Sequence, residues 1–195
     1  MRILLTVCIG KKGDSPDAKK HFKIAKKKYE NGDPKKALEE ITKAISHNYN
    51  KSQFWLLKGN INIDLWEIEE SIRCFEKAIS IDPNSAVAWN RKGEAYMYNS
   101  EYDEAIKCFE KAISFEPENA LAWNNKGIVY REKEENDKAI ECYDKAISID
   151  SEFKPAWRNK GHTYREKGLD YKARECYHKA GSLEPEKTKL PEDGD

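Results

Sequence analysis

The residues best suited to chemistry in this chain are its cysteines and histidines. Four of the five cysteines, Cys74, Cys108, Cys142 and Cys176, follow one another at intervals of 34 residues. Metal ligands and disulfide frameworks use shorter, uneven spacings. Helices stacked at such a period lie about 10 Å apart, beyond the ~7 Å Cα separation a disulfide spans. The four cysteines therefore read as small, half-buried packing residues, and a reducing, cytoplasmic setting is expected. The histidines, His21, His47, His162 and His178, do not pair with another His, a Cys or a carboxylate at metal-binding spacing. No glycine-rich phosphate loop precedes a helix, and no Ser or Cys stands in a nucleophile motif. The expectation is no enzyme, no metal and no cofactor.

Composition narrows the alternatives. A chain of 195 residues fits one domain or one repeat array. It carries 35 basic and 35 acidic side chains, a balance that argues against a wholesale nucleic-acid binder. Mean hydropathy is −0.92, and no apolar run approaches the ~18–20 residues of a membrane span. So polar a chain could stay disordered, but its 5 Trp, 10 Tyr and 6 Phe can build a core if they recur regularly. Residues 1–10, MRILLTVCIG, are at the lower limit of a signal h-region and lack a small-residue cleavage site, so they read as a tail or stray strand.

The elements that position these residues repeat. Trp55, Trp89, Trp123 and Trp157 share the interval of the cysteines, as do Gly59, Gly93, Gly127 and Gly161, and Ala78, Ala112, Ala146 and Ala180. One gapless frame gives five repeats: 18–51, 52–85, 86–119, 120–153 and 154–187. A flexible segment is expected over 1–17 and a flexible acidic tail over 188–195. A fixed period of this size denotes a solenoid of stacked units. Within 86–119, Trp89, Gly93 and Tyr96 fall on one helical face, and Ala105, Phe109 and Ala112 on another. The polar stretch Tyr98–Glu101 separates them, and Pro117 ends the second helix. Each unit is thus two antiparallel helices, A and B, whose small residues admit close contact. The stretch Asn60–Ile68 alternates like a strand, but the frame assigns it to helix A and a turn. Trp66 falls in that turn, where other repeats have Gly32, Ser100, Glu134 and Gly168. It is expected to tuck in beside the divergent first repeat; exposed, it would be an interaction hot spot.

This pattern, Trp89, Gly93, Tyr96, Ala105, Phe109, Ala112 and Pro117 with its copy Trp123, Gly127, Tyr130, Ala139, Tyr143 and Ala146, resembles the tetratricopeptide repeat (TPR) family. The resemblance implies an all-α, right-handed solenoid of stacked antiparallel helix pairs, the TPR superhelix. There are departures. Lys58, Lys92, Lys126 and Lys160 stand where the family has Leu, each stem packing while its amine reaches water. Ser151 replaces the repeat-ending Pro, and Asn62 the Tyr. In the first repeat His21, Ala25 and Lys28 replace Trp, Gly and Tyr, so looser docking is expected there. Ile72, Ile106 and Ile140, with Ile79, Ile113 and Ile147, should pack on the following repeat, whereas Arg174 and Gly181 close the array with a polar face.

By the same resemblance, helices A line a concave groove that takes a peptide or a partner helix. The groove residues so implied are Leu56, Asn60 and Ile63 in the second repeat and Asn90 and Arg91 in the third. The fourth supplies Asn124, Asn125 and Arg131, and the fifth Arg158, Asn159 and Arg165. Asn can pair with a peptide backbone, and Arg with carboxylates; the alternative is that both only solvate an exposed face. A two-carboxylate clamp of the chaperone-binding kind fits no frame: Asn60, Asn125 or Arg91 matches singly, depending on the frame, while Leu56, Glu94, Leu121 and Pro155 do not. The expected function is a non-catalytic protein-interaction scaffold with another protein or peptide, favoured if acidic, as partner; array ends can also self-associate. A rival is a nucleic-acid or acidic-surface contact through the Lys-rich first repeat, since residues 1–51 hold 13 basic against 6 acidic side chains. Against it, those lysines form no single stripe, and the aromatics beside them, Phe22 and Tyr29, are needed for packing. No membrane association is expected.

Overall fold

The computed structural model describes residues 15–181. Among the described residues the chain is wholly helical, with α1 (Pro16–Glu30), α2 (Pro34–His47), α3 (Ser52–Asp64), α4 (Ile68–Ile81), α5 (Ala86–Tyr98), α6 (Tyr102–Phe115), α7 (Ala120–Glu132), α8 (Asn136–Ile149), α9 (Lys154–Glu166) and α10 (Asp170–Lys179). Odd-numbered helices are helices A and even-numbered ones helices B of an all-α TPR solenoid. They form two compact units, one ending at Pro83 and one starting at Asn84. The tail expected over 188–195 and residues 1–14 lie outside the described residues. Pro16 and Asp17, assigned above to a flexible segment, are instead the first turn of α1, where proline's missing donor and fixed φ suit the N-terminus.

The first unit packs α1 on α2, α2 on α3, and α3 on α4. Its core joins Ala18, Ala25, Ala37, Ile41 and Ala44 to Phe54 and Ile61 of the next repeat. The expectation of a loosely docked first repeat is therefore corrected. Phe22 stacks on Phe54 at 4.7 Å, and His21, in the usual Trp position, bonds Glu40 at 2.6 Å and stacks on His47. Substitutes fill the sites with other contacts. In the second unit the isoleucines behave as expected: Ile106 packs with Ala105, Phe109 and Val129 of the following pair, and Ile147 packs with Ala156 and Phe153. Arg174 is exposed.

The recurrent glycines are explained by contact distance. A Cβ on Gly59 would lie 2.4 Å from the Phe75 ring, on Gly93 2.7 Å from Phe109, on Gly127 2.6 Å from Tyr143, and on Gly161 2.8 Å from Tyr177. Each helix B aromatic thus presses on bare helix A backbone. The indole of Trp55, Trp123 and Trp157 donates to the carbonyl of Tyr49, Pro117 and Ser151, six residues back. The acceptor is backbone, so Ser151 serves as well as Pro117.

The turn inside every pair has one geometry. Gly32, Trp66, Ser100, Glu134 and Gly168 all take φ between 59° and 75°. In the third repeat Ser100 N–H donates to Met97 O and Glu101 N–H to Tyr96 O, closing the helix with a left-handed residue. Asn60–Ile68 follows the same plan: α3 runs to Asp64, and Trp66 takes the left-handed position. Trp66 does not tuck in. It is 77% exposed, because the left-handed backbone turns its side chain outward. Non-glycine residues there are strained by about 1–2 kcal/mol. Replacing Glu134 by glycine should therefore stabilise the chain by about 1 kcal/mol, read as a higher denaturation midpoint; an unchanged or lower midpoint would refute the strain.

Candidate functional site

In the second unit the groove-side asparagines bond to one another. Asn125 Nδ2 donates to Glu94 Oε1 at 2.9 Å and to Asn90 Oδ1 at 3.4 Å. Asn90 Nδ2 donates to the same Glu94 oxygen at 2.8 Å, and Arg91 Nη1 to Glu94 Oε2 at 2.7 Å. One junction further, Asn159 Nδ2 donates to Asn124 Oδ1 at 2.9 Å. Asn124 also reaches Asn125 Oδ1 at 3.4 Å. Asn90, Asn124 and Asn125 are each under 7% exposed. This asparagine network faces inward. It corrects the assignment of these three to partner contact: they fasten helices α5, α7 and α9 together, since a buried amide must find partners. Asn159 is half-buried.

The position-matched lysines are also engaged. Lys126 bonds Glu110 at 2.8 Å and Lys160 bonds Asp144 at 2.5 Å, each reaching the preceding helix B. Lys133 pairs with Asp103 at 2.5 Å, and Lys167 with Asp137. The Lys126 ammonium also lies 5.7 Å from the Trp123 and Tyr130 ring centres, and Lys160 5.6 Å from Trp157 and Tyr164. The amines thus reach carboxylates and rings, where open water was expected. Burial works against the charge of Lys160, yet the hydrogen bond to Asp144 keeps its pKa raised. Clefts lie along this Trp–Lys–Cys edge, one of 690 Å³ beside Trp123, Lys126 and Cys142. Cys74, Cys108, Cys142 and Cys176 are free and buried, and burial pushes the thiols of Cys74 and Cys142 up to about 11, far from the reactive thiolate. Among the described residues no group of three His, Cys, Asp or Glu could hold a metal ion, and no helix is long and apolar enough to cross a membrane.

What remains outward on the helix A face is arginine. Arg131 on α7 is half-buried, bonds Glu132 at 2.8 Å and lies 4.0 Å from Glu166. Arg158 and Arg165 on α9 are exposed. Between them His162 Nδ1 shares a hydrogen bond with Tyr177 OH at 3.1 Å and sits 3.4 Å from Arg165 Nη2. Burial, then Arg165, Arg131 and Arg158, hold the imidazole below its usual pKa, so three guanidiniums act on one ring. His162 belongs with them: Arg158, His162 and Arg165 stand at i, i+4 and i+7 of one helix. In the first unit Leu56, Asn60 and Ile63 are half-buried, and Asn60 Oδ1 is buried without a hydrogen-bond partner. On α1, Lys19, Lys20, Lys23, Lys26 and Lys27 are exposed, while Phe22 and Tyr29 pack on the core and leave no aromatic for a base to stack on.

Known proteins share these features. Tetratricopeptide repeat models match residues 86–119 and 120–153, and a second such model matches 52–85 and 155–187; the first helix pair is not matched. No curated protein sequence matches significantly. Among solved structures, MamA is 32% identical, covering 80% of this chain and 92% of its own at a TM-score of 0.70. PilW, a type IV pilus biogenesis factor, is 21% identical over 85% of this chain and 77% of its own, with a TM-score of 0.78. YrrB, a TPR protein with an unusual peptide-binding site, is 19% identical over 88% and 86%, with a TM-score of 0.64. The last two share the fold alone. With helix pairs recurring at one interval, glycine-on-aromatic contacts in four of them and family models matched in series, the chain belongs to the tetratricopeptide repeat family.

Proposed function

We propose that this protein is a non-catalytic interaction scaffold that holds an extended segment or helix of a partner protein on the outer face of its helices A. The observation that carries the reading is the division of labour on those helices. Buried amides and several lysines are consumed in joining repeats, whereas Arg158 and Arg165 stay exposed, Arg91 and Arg131 keep part of their guanidinium at the surface beside their carboxylate partners, and Tyr98 is 50% exposed. Arg and Tyr are the side chains that most often anchor interfaces. Leu56 and Ile63 offer a smaller apolar patch in the first unit. Membership of the family supports a protein partner, and the four free buried thiols support a reducing compartment such as the cytoplasm.

The test is capture by the immobilised full chain, compared among wild type, an Arg91→Ala, Tyr98→Ala variant and a Lys23→Gln, Lys26→Gln, Lys27→Gln variant. The expected result is a partner retained by wild type and by the lysine variant and weakened about tenfold or more by the helix A variant. Equal retention by the helix A variant, or loss in the lysine variant alone, overturns the reading and points to α1.

A further inference from the structure

We infer that α9, with Arg131 of α7, forms a subsite for the carboxylates of an acidic protein segment, Arg158 and Arg165 gripping the anion above His162. The inference rests on helices A being the partner face. Arg158, His162 and Arg165 stand at i, i+4 and i+7, and therefore share one side of α9. His162 Nδ1 lies 3.1 Å from the Tyr177 hydroxyl and 3.4 Å from Arg165 Nη2. Arg131 adds a third guanidinium, partly engaged by Glu132 and Glu166.

The contrast with the rest of the second unit singles this site out. Lys126, Lys133, Lys160 and Lys167 each meet a carboxylate. Among the described residues no carboxylate lies within ion-pair distance of Arg158 or Arg165, so their charge is free for a ligand. A guanidinium fork matches a carboxylate in two parallel hydrogen bonds. Exposed Glu132 and Glu166 flank the site. A peptide can place carboxylates between them, whereas the unbroken phosphates of a nucleic acid would meet their repulsion.

The site also links binding to pH. The groups facing His162 are Arg131 from α7, Arg158, Arg165 and Glu166 from α9, and Tyr177 from α10. Behind them, the Tyr143 hydroxyl of α8 lies in the field of Arg131 and Glu166. Burial and the three guanidiniums weaken the ring's hold on a second proton. A bound carboxylate offsets that positive field and raises His162's proton affinity. By reciprocity, the acidic segment binds more tightly as pH falls through the imidazole range.

Fluorescence anisotropy of the full chain with labelled decaglutamate tests this. Decaglutamine and a short single-stranded RNA serve as comparison probes, at about pH 7.5 and about pH 6. Decaglutamate should bind at least about tenfold more tightly than decaglutamine, and Arg158→Gln, Arg165→Gln should remove that margin. His162→Gln should lose the tightening between the higher and the lower pH; a variant that keeps that gain overturns the assignment of the pH response to His162. Circular dichroism of each variant, expected to match wild type for the exposed Arg158 and Arg165, separates lost binding from lost fold. Equal binding by wild type and the double arginine variant overturns the subsite, and RNA bound more tightly than decaglutamate overturns the assignment to protein. The capture experiment with Arg91→Ala, Tyr98→Ala separates the two readings. If that variant keeps the partner while decaglutamate still needs the arginines, the partner face is wrong and the subsite stands. If it loses the partner while decaglutamate ignores the arginines, the subsite is wrong.

Discussion

Gly93→Leu is expected to destabilise the protein by about 3 kcal/mol, measured as a lower denaturant midpoint. A bare Cβ at Gly93 would already lie 2.7 to 2.9 Å from three atoms of the Phe109 ring. That ring is fully buried, surrounded by Ala105, Val129, Tyr96 and Ile106, and has no space into which to retreat. Leucine's better helix propensity, about 1 kcal/mol over glycine, opposes the clash and is the smaller effect. The sign is therefore set by packing. Gly93→Ala should lose less, about 1–2 kcal/mol. The test of cause is a double-mutant cycle with Phe109→Leu: if the ring is the obstacle, Gly93→Ala becomes milder once the ring is gone. Additive effects would place the obstacle elsewhere. Because a repeat array gains stability from neighbouring interfaces, the loss should spread through the second unit.

Asn125→Ala is the second expected large effect, about 2 kcal/mol, and it concerns stability where the groove reading alone would predict a change in binding. Asn125 is 6% exposed and ties α7 to Glu94 and Asn90 of α5. Its removal leaves Asn90 Oδ1 and Asn124 Nδ2 short of a partner in a buried place. Asn125→Asp should cost more near neutral pH, because an aspartate there would face Glu94 across 2.9 Å with both groups ionised. That penalty should shrink as pH falls and one carboxyl takes a proton. Thermal denaturation at two pH values reads both variants. A wild-type midpoint for Asn125→Ala would show that the amide network contributes nothing to holding α5 and α7 together.

How far the sequence carried depended on what each residue's meaning requires. Trp89, Gly93, Tyr96, Ala105 and Phe109 sit at intervals that only a helix brings to one face, and the 34-residue period forces identical pairs to stack. The frame even overruled the strand-like alternation of Asn60–Ile68, because the same turn recurs inside every pair. Asn90, Asn124 and Asn125 were legible as a pattern but not as a role. Whether a helix A amide faces a partner or the neighbouring helix depends on the separation of α5, α7 and α9, a distance no single repeat encodes. Trp66 was placed in its turn by sequence, yet the left-handed backbone at φ 60° decided that it points outward. The cluster of Arg131, Arg158, Arg165 and His162 joins two helices 20 or more residues apart in the chain, so its charge meets only after folding. Local periodicity thus determined the elements and their order, since helix geometry is set by neighbours in sequence. Tertiary structure alone decided which polar groups are spent inside and which remain for a partner, since the desolvation that forces a buried amide or ammonium to pair is a property of its surroundings in space.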